Sequence, residues 1–287
     1  TGLVGRNAVV EISNTLDSKV RVPVSQAGGV WYVKGDDAYG LSDEESTITI
    51  PVKSDYDYTV DMPAWITGEK VKEGYNFTLT ENTTGNARKG TVIFKSQKGT
   101  KEITFVQFGV NDIAGTYEAT YSTFGEGDDW VSETVKIELL QDEENEAVFY
   151  ADGLSSIRGV VLPLKFDGET YQLSALNGQY LGFIESQKWY LYTIVRSEAG
   201  YVHADTSLSY PAIAELDVDD EELMPFFPFK DKKGFSFTGE TGTIKSFIDA
   251  IGVYVFASKS PTFGNNNNLG YYDIFKGLSI KKIKADH

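Results

Sequence analysis

The run from Arg6 to Gly28 returns at Arg88 to Gly109, offset by 82 residues at its start and 81 at its end. Both copies read as an arginine, a β-rich run, a polar turn, a second β-rich run and a closing Gln-x-Gly at Gln26 and Gln107. Self-similarity at a fixed period marks repeated structural units, and this period is the length of one small β-sandwich. Residues 1–28 therefore read as the terminal hairpin of an incomplete preceding module. Residues 29–110 read as a complete one.

The rest of the chain supports an all-β fold. Runs rich in Val, Ile, Thr, Tyr and Phe recur between Gly, Asn and Asp clusters, as strands do between turns. Clear cases are residues 47–52, 56–61, 75–80, 90–96 and 102–108. In the run at 90–96, Val92 and Phe94 alternate with Thr91, Ile93 and Lys95. Helical spacing is rare. Ile244, Phe247, Ile248 and Ile251 fall at i, i+3, i+4 and i+7, which predicts a helix over 243–251 with Gly252 at its C-cap.

Charge divides the chain at the same place. Residues 1–110 carry 12 Lys/Arg against 14 Asp/Glu, a net of −2, and residues 111–287 carry the remaining −14 of a total of −16. So acidic a C-terminal domain repels nucleic acid and anionic membrane surfaces. It accommodates neutral glycans, cations or basic partners. Cysteine is absent and only His203 and His287 are present. That removes disulfides, zinc-thiolate sites and thiol nucleophiles, and leaves almost no basis for a His-containing triad. No apolar run reaches the ~18 residues of a membrane helix; the longest candidate, residues 247–257, is interrupted by Asp249.

Residues 30–110 resemble the BACON domain of Bacteroidetes surface proteins. The resemblance is carried by Ile48 to Val60, by Pro63-Ala64-Trp65-Ile66, by Phe77 to Arg88 with Asn82 at its centre, and by Ile103 to Gly109 with its closing Gln107. It implies an immunoglobulin-like sandwich, export, and company with glycan-processing machinery. Residues 111–287 more loosely resemble the lipocalin-like C-terminal domains that follow such modules. There Ile113 to Tyr117 stands as an opening barrel strand and Gly270 to Ile283 as a closing one. The fold expected is thus an immunoglobulin-like β-sandwich (29–110), then a larger antiparallel β-barrel or sandwich of lipocalin-like type (111–287). The address implied is the bacterial cell surface, the outer membrane or the periplasm. A mature lipoprotein whose lipid-bearing Cys lies upstream of Thr1 fits the cysteine-free chain, as do other exported proteins.

Candidate sites follow from residue chemistry. Trp65 reads as a core plug, with a ligand platform as the second reading, and Asn82 and Arg88 read as turn stabilisers. Asp217, Asp219 and Asp220, followed by two glutamates, offer oxygen ligands for calcium. They lack the glycine and ligand alternation of an EF-hand, so a solvated loop competes. Tyr117, Ala119 and Tyr121 share inward parity. Trp130 lies out of phase with Val131, Val135, Ile137 and Leu139, and so points the other way. Tyr210, Phe226 and Phe227 sit where no alternation is legible. Exposed, at least two of these four aromatics would cluster on one open rim and take the apolar face of a sugar ring, near the amides of residues 265–268.

The expected function is a non-catalytic surface module that captures a polysaccharide or oligosaccharide. A structural spacer or adhesin-like stalk, contacting another surface protein without a small ligand, is the alternative. A hydrolase stands third, and no cofactor beyond calcium is suggested.

Overall fold

The computed structural model describes residues 5–13, 19–26, 28–125, 129–216, 223–239, 242–264 and 266–284. The chain divides into two compact units, residues 1–84 with 88–108, and residues 85–87 with 109–287. Both are built from β-strands.

The first unit opens with an antiparallel hairpin of β1 (Arg6–Ser13) and β2 (Lys19–Gln26). Nine short strands follow: β3 (Trp31–Val33), β4 (Ala38–Leu41), β5 (Ser46–Ile50), β6 (Val52–Ser54), β7 (Tyr58–Asp61), β8 (Ile66–Val71), β9 (Gly74–Leu79), β10 (Arg88–Ser96) and β11 (Gly99–Gln107). One sheet runs β4-β11-β10-β7 and another β5-β9-β8, with β3 and β6 as a small separate pair. Two-residue periodicity places alternate side chains on one face. Val92 and Phe94 of β10, with Ile103 and Phe105 of β11, are fully buried against Ile50, Ile66, Phe77 and Leu79. Phe77 meets Phe94 edge-on at 5.8 Å and Phe105 at 5.4 Å, geometries that suit the ring quadrupoles.

The residues that carried the family resemblance hold one end of this unit together. Arg88 lies over the Trp65 ring at 4.5 Å and donates from Nε to Gln107 Oε1 at 2.8 Å. Its Nη2 donates to the Thr80 and Glu81 carbonyls at 2.6 and 3.1 Å. Gln107 is fully buried, and its amide nitrogen lies within 3.3 Å of the Ser42, Glu44 and Thr80 carbonyl oxygens. Buried Asn82 donates to Asp43 and accepts from the Thr84 hydroxyl. These groups satisfy backbone between strands where no ladder can. Trp65 is half-buried under Arg88, so its ring already has an occupant.

The second unit begins with a 3₁₀ turn, Val110–Asp112. Its strands are β12 (Gly115–Phe124), β13 (Trp130–Gln141), β14 (Val148–Asp152), β15 (Leu162–Asp167), β16 (Gln172–Leu176), β17 (Tyr180–Ile184), β18 (Trp189–Ser197) and β19 (Val202–His203). They continue as β20 (Ser209–Ile213), β21 (Phe226–Pro228), β22 (Phe235–Gly239), β23 (Gly242–Ser246), β24 (Ile248–Phe256) and β25 (Asn268–Lys282). One large antiparallel sheet has the order β17-β18-β24-β25-β12-β13-β14-β15-β16-β20. Short β21 pairs with β25 and also bridges to β20 through Ala212–Phe229 and Glu215–Phe226, so the sheet curls back on itself.

The interior of the curl is written in the alternation of its strands. Tyr117 and Ala119, Ile137 and Leu139, Phe149 and Ala151, Leu164 and Phe166, Leu173 and Ala175, and Leu278 and Ile280 are all buried. Tyr117 and Tyr121 thus take the inward parity read from the sequence. The Tyr117 hydroxyl donates to the Ile113 carbonyl at 2.7 Å, and burial pushes its pKa up, which keeps it a donor. Large side chains fill this space.

The helix expected over 243–251 is absent, and β23 and β24 occupy those residues. Ile248 to Phe256 is apolar on both faces because both faces of β24 are covered, and a continuously apolar strand mimics helical spacing over two turns. Gly252 is no C-cap. A Cβ there would lie 2.2 Å from the Asp273 carbonyl oxygen, so glycine permits β24 to approach β25. Among the described residues no helix is long and apolar enough to cross a membrane.

Candidate functional site

The four aromatics singled out from the sequence do not form an open rim. Tyr210 is 2% exposed and Phe227 fully buried, both within the curl. The Tyr210 ring packs on Phe229 at 5.5 Å and its hydroxyl donates to the Asp249 carbonyl. Phe227 approaches Tyr117 at 6.5 Å, and Phe226 is half-buried in β21. Trp130 does lie on the opposite face from Ile137 and Leu139, but its ring is occupied. Phe124 stacks on it at 4.4 Å, while Lys276 and Arg196 stand over it at 4.6 and 5.4 Å. Asp249 anchors both cations, accepting two bonds from Arg196 Nη1 at 2.8 and 3.1 Å and lying 3.6 Å from Lys276.

Asp217, Asp219 and Asp220 lie outside the described residues. Among the described residues, no three His, Asp or Glu side chains converge as a cation site requires.

A different set of aromatics is open. Strand β17 is an edge of the large sheet, hydrogen-bonded among the described residues only to β18. Cross-strand partners share a face, and the register pairs Tyr180 with Tyr192 and Phe183 with Tyr190. All four rings therefore line one side of the hairpin. Phe183 meets Tyr190 at 4.5 Å, and Tyr180 meets Tyr192 at 5.4 Å. The row continues inward through Phe256 and Tyr254, each ring within 5.7 Å of the one before it. Its outer members are accessible: Tyr180 is 48% and Phe183 37% exposed.

Charged groups stand beside the row. Glu185 and Lys188 form an ion pair at the turn, and Lys188 stands 5.9 Å from the Phe183 ring. Lys259 stands 5.9 Å from the Tyr180 ring, and its carbonyl accepts the Tyr192 hydroxyl at 2.5 Å. A firmly anchored inner ring thus supports two solvent-facing ones. An exposed aromatic strip on an open sheet edge, rimmed by polar groups, has the character of a binding surface. Runs such as Tyr180 to Phe183 and Trp189 to Tyr192 signal strands in the sequence. That β17 is the last strand of its sheet is not written there.

A separate cleft of about 380 Å³ lies between β20 and the loop 230–235. Its organiser is Asp231, whose carboxylate accepts the backbone N–H groups of Lys233, Gly234 and Ile248 at 2.9–3.0 Å. The carboxylate is thus engaged in holding the loop.

His203 stands in an aromatic cluster under the β22–β23 hairpin, 4.8 Å from Phe235 and 4.6 Å from Phe237. Burial lowers its pKa from 6.5, with Asp205 opposing weakly. A histidine whose folded pKa is depressed binds more protons unfolded than folded, so stability rises with pH across that window. The contribution is complete above the unfolded value and is lost as pH falls through 6.5 toward the folded value. Acidification from pH 7 to 5 is expected to lower the melting temperature of this unit. His203→Phe should flatten that dependence, as read by differential scanning calorimetry at the two pH values. An unchanged slope in the variant would remove His203 as its source.

No protein-family model matches the chain, and neither a curated protein nor a solved structure matches it.

Proposed function

We propose that this chain is a non-catalytic, exported binding protein that captures carbohydrate on the aromatic strip of the β17–β18 hairpin. The observation that carries the reading is the pairing of exposed Tyr180 and Phe183 with anchored Tyr192 and half-buried Tyr190 on one face of an open edge. Pyranose rings present an apolar face to such aromatics, while their hydroxyls reach polar groups like Glu185, Gln187 and Lys188. The strong acidity of residues 111–287 favours a neutral or basic ligand over an anionic one. The resemblance of residues 30–110 to BACON modules, and of residues 111–287 to lipocalin-like domains, supports export and a glycan setting.

Two exposed rings contributing on the order of 1 kcal/mol each imply weak binding, in the micromolar-to-millimolar range. A glycan array probed with a multivalent form of the protein, so that avidity raises weak affinities, tests the reading. Binding to a restricted set of neutral oligosaccharides is expected. A blank array returns the spacer reading, which one observation favours: Trp65, Asn82, Arg88 and Gln107 are all engaged in holding their own unit together.

A further inference from the structure

The hairpin β1–β2 is amphipathic, and its apolar side is bare. Ala8, Val10 and Ile12 stand opposite Val24, Val22 and Val20 in register, so all six share one face. Val10, Ile12, Val20, Val22 and Val24 are 40–60% exposed. The other face is mixed, with Glu11 paired to both Lys19 and Arg21 at 3.2 and 2.9 Å beside exposed Val9 opposite Pro23. A two-stranded hairpin by itself is marginally stable at best, so an aliphatic face of this kind implies a cover.

The same chain shows what covers such a face. β10–β11 is an antiparallel hairpin of like length, and its register sets Arg88 opposite Gln107 as that of β1–β2 sets Arg6 opposite Gln26. Counting inward from those pairs, Ala8 and Val24 correspond to Gly90 and Phe105, and Val10 and Val22 to Val92 and Ile103. Ile12 and Val20 correspond to Phe94 and Lys101, the one place where the second hairpin is not apolar. In the complete sandwich, Val92, Phe94, Ile103 and Phe105 are fully buried in the core that Ile66, Phe77 and Leu79 of the β5-β9-β8 sheet share.

We infer that β1–β2 is the closing hairpin of a second sandwich of the same build. Its apolar face is covered by a sheet equivalent to β5-β9-β8, and that sheet lies N-terminal to it in the same polypeptide. The order follows from the complete unit, where the hairpin comes last. A second copy of the chain is a poorer occupant. The face spans roughly 26 by 10 Å from strand dimensions, about a third of the ~800 Å² that each partner gives to a stable complex. The absence of aromatic side chains on it also disfavours a sugar.

The test compares residues 1–287 with the same protein extended on its N-terminal side to its encoded start. In the extended protein, amide exchange at Val22 and Val24 is expected to slow by at least about 100-fold, the protection of a sheet within a folded unit. Val10→Asp should remove that protection. Val9→Asp, one residue away on the opposite face, should keep it. Equal exchange in the two lengths, or equal effects of the two substitutions, overturns the inference. So does concentration-dependent dimerisation of residues 1–287 that Val10→Asp abolishes, since the occupant is then a second copy.

Discussion

Replacing Gln107 by alanine is expected to destabilise residues 29–108 by about 3 kcal/mol or more. The side chain is fully buried and serves both sides of a network. Its oxygen accepts from Arg88, and its nitrogen reaches the carbonyls of Ser42, Glu44 and Thr80. Truncation leaves several of these groups without a partner, at roughly 1–3 kcal/mol for each buried one, and opens a cavity besides. In a unit of this size 3 kcal/mol corresponds to a fall of roughly 15 °C in melting temperature. Gln107→Leu, which keeps the volume, should recover only the cavity part. Hydrogen exchange with peptide resolution locates the effect. A loss below about 1 kcal/mol would mean that water replaces the amide at little cost.

Removing the Asp249 carboxylate should be nearly as damaging to the second unit. Its side chain is 12% exposed and that of Arg196 18%, so the pair is largely shielded. Lys276 stands beside them under the same Trp130 ring. Asp249→Ala leaves the largely shielded Arg196 without its partner and beside Lys276, and breaking one partner of a buried pair costs about 3–5 kcal/mol. Partial exposure puts the expected loss near the lower end. The double variant Asp249→Ala/Arg196→Met should be more stable than Asp249→Ala alone, because it removes the stranded charge. If the double variant is worse by the sum of its parts, the two residues act independently.

Much of the fold was legible wherever one face of a strand is wet. Val92 and Phe94 alternate with Thr91, Ile93 and Lys95 and are buried, and Tyr117, Ala119 and Tyr121 point inward as their parity requires. Legibility failed where that contrast is missing. β24 is buried on both faces, so Ile248 and Ile251 look helical. Pro211 and Pro228 interrupt β20 and β21, which hid Tyr210 and Phe227 in apparent loops although both belong to the core. Proline is tolerated there because β20 ends the strand path and meets the next segment only through isolated bridges, and β21 is only three residues long.

The candidate site was the least legible part. Trp130 has the outward parity read for it, but parity says nothing of Phe124, its cross-strand partner, or of Lys276 and Arg196, which reach it from distant segments. The reverse holds for Tyr180 and Phe183. In sequence they are ordinary aromatic strand residues, and only the position of β17 at the end of a ten-strand path leaves them open. Strand order comes from long-range pairing, to which local pattern is blind.

Isothermal titration of an oligosaccharide identified on the array tests most directly the proposed binding of sugar to the β17–β18 strip. Titrations of the parent protein, Tyr180→Ala/Phe183→Ala and Trp130→Ala would be compared under the same conditions. The account expects the double variant to lose about 30-fold in affinity, two rings at about 1 kcal/mol each. It expects Trp130→Ala to bind as the parent does. Undiminished binding by the double variant would contradict the account, and a loss confined to Trp130→Ala would move the site to the Asp249 cluster.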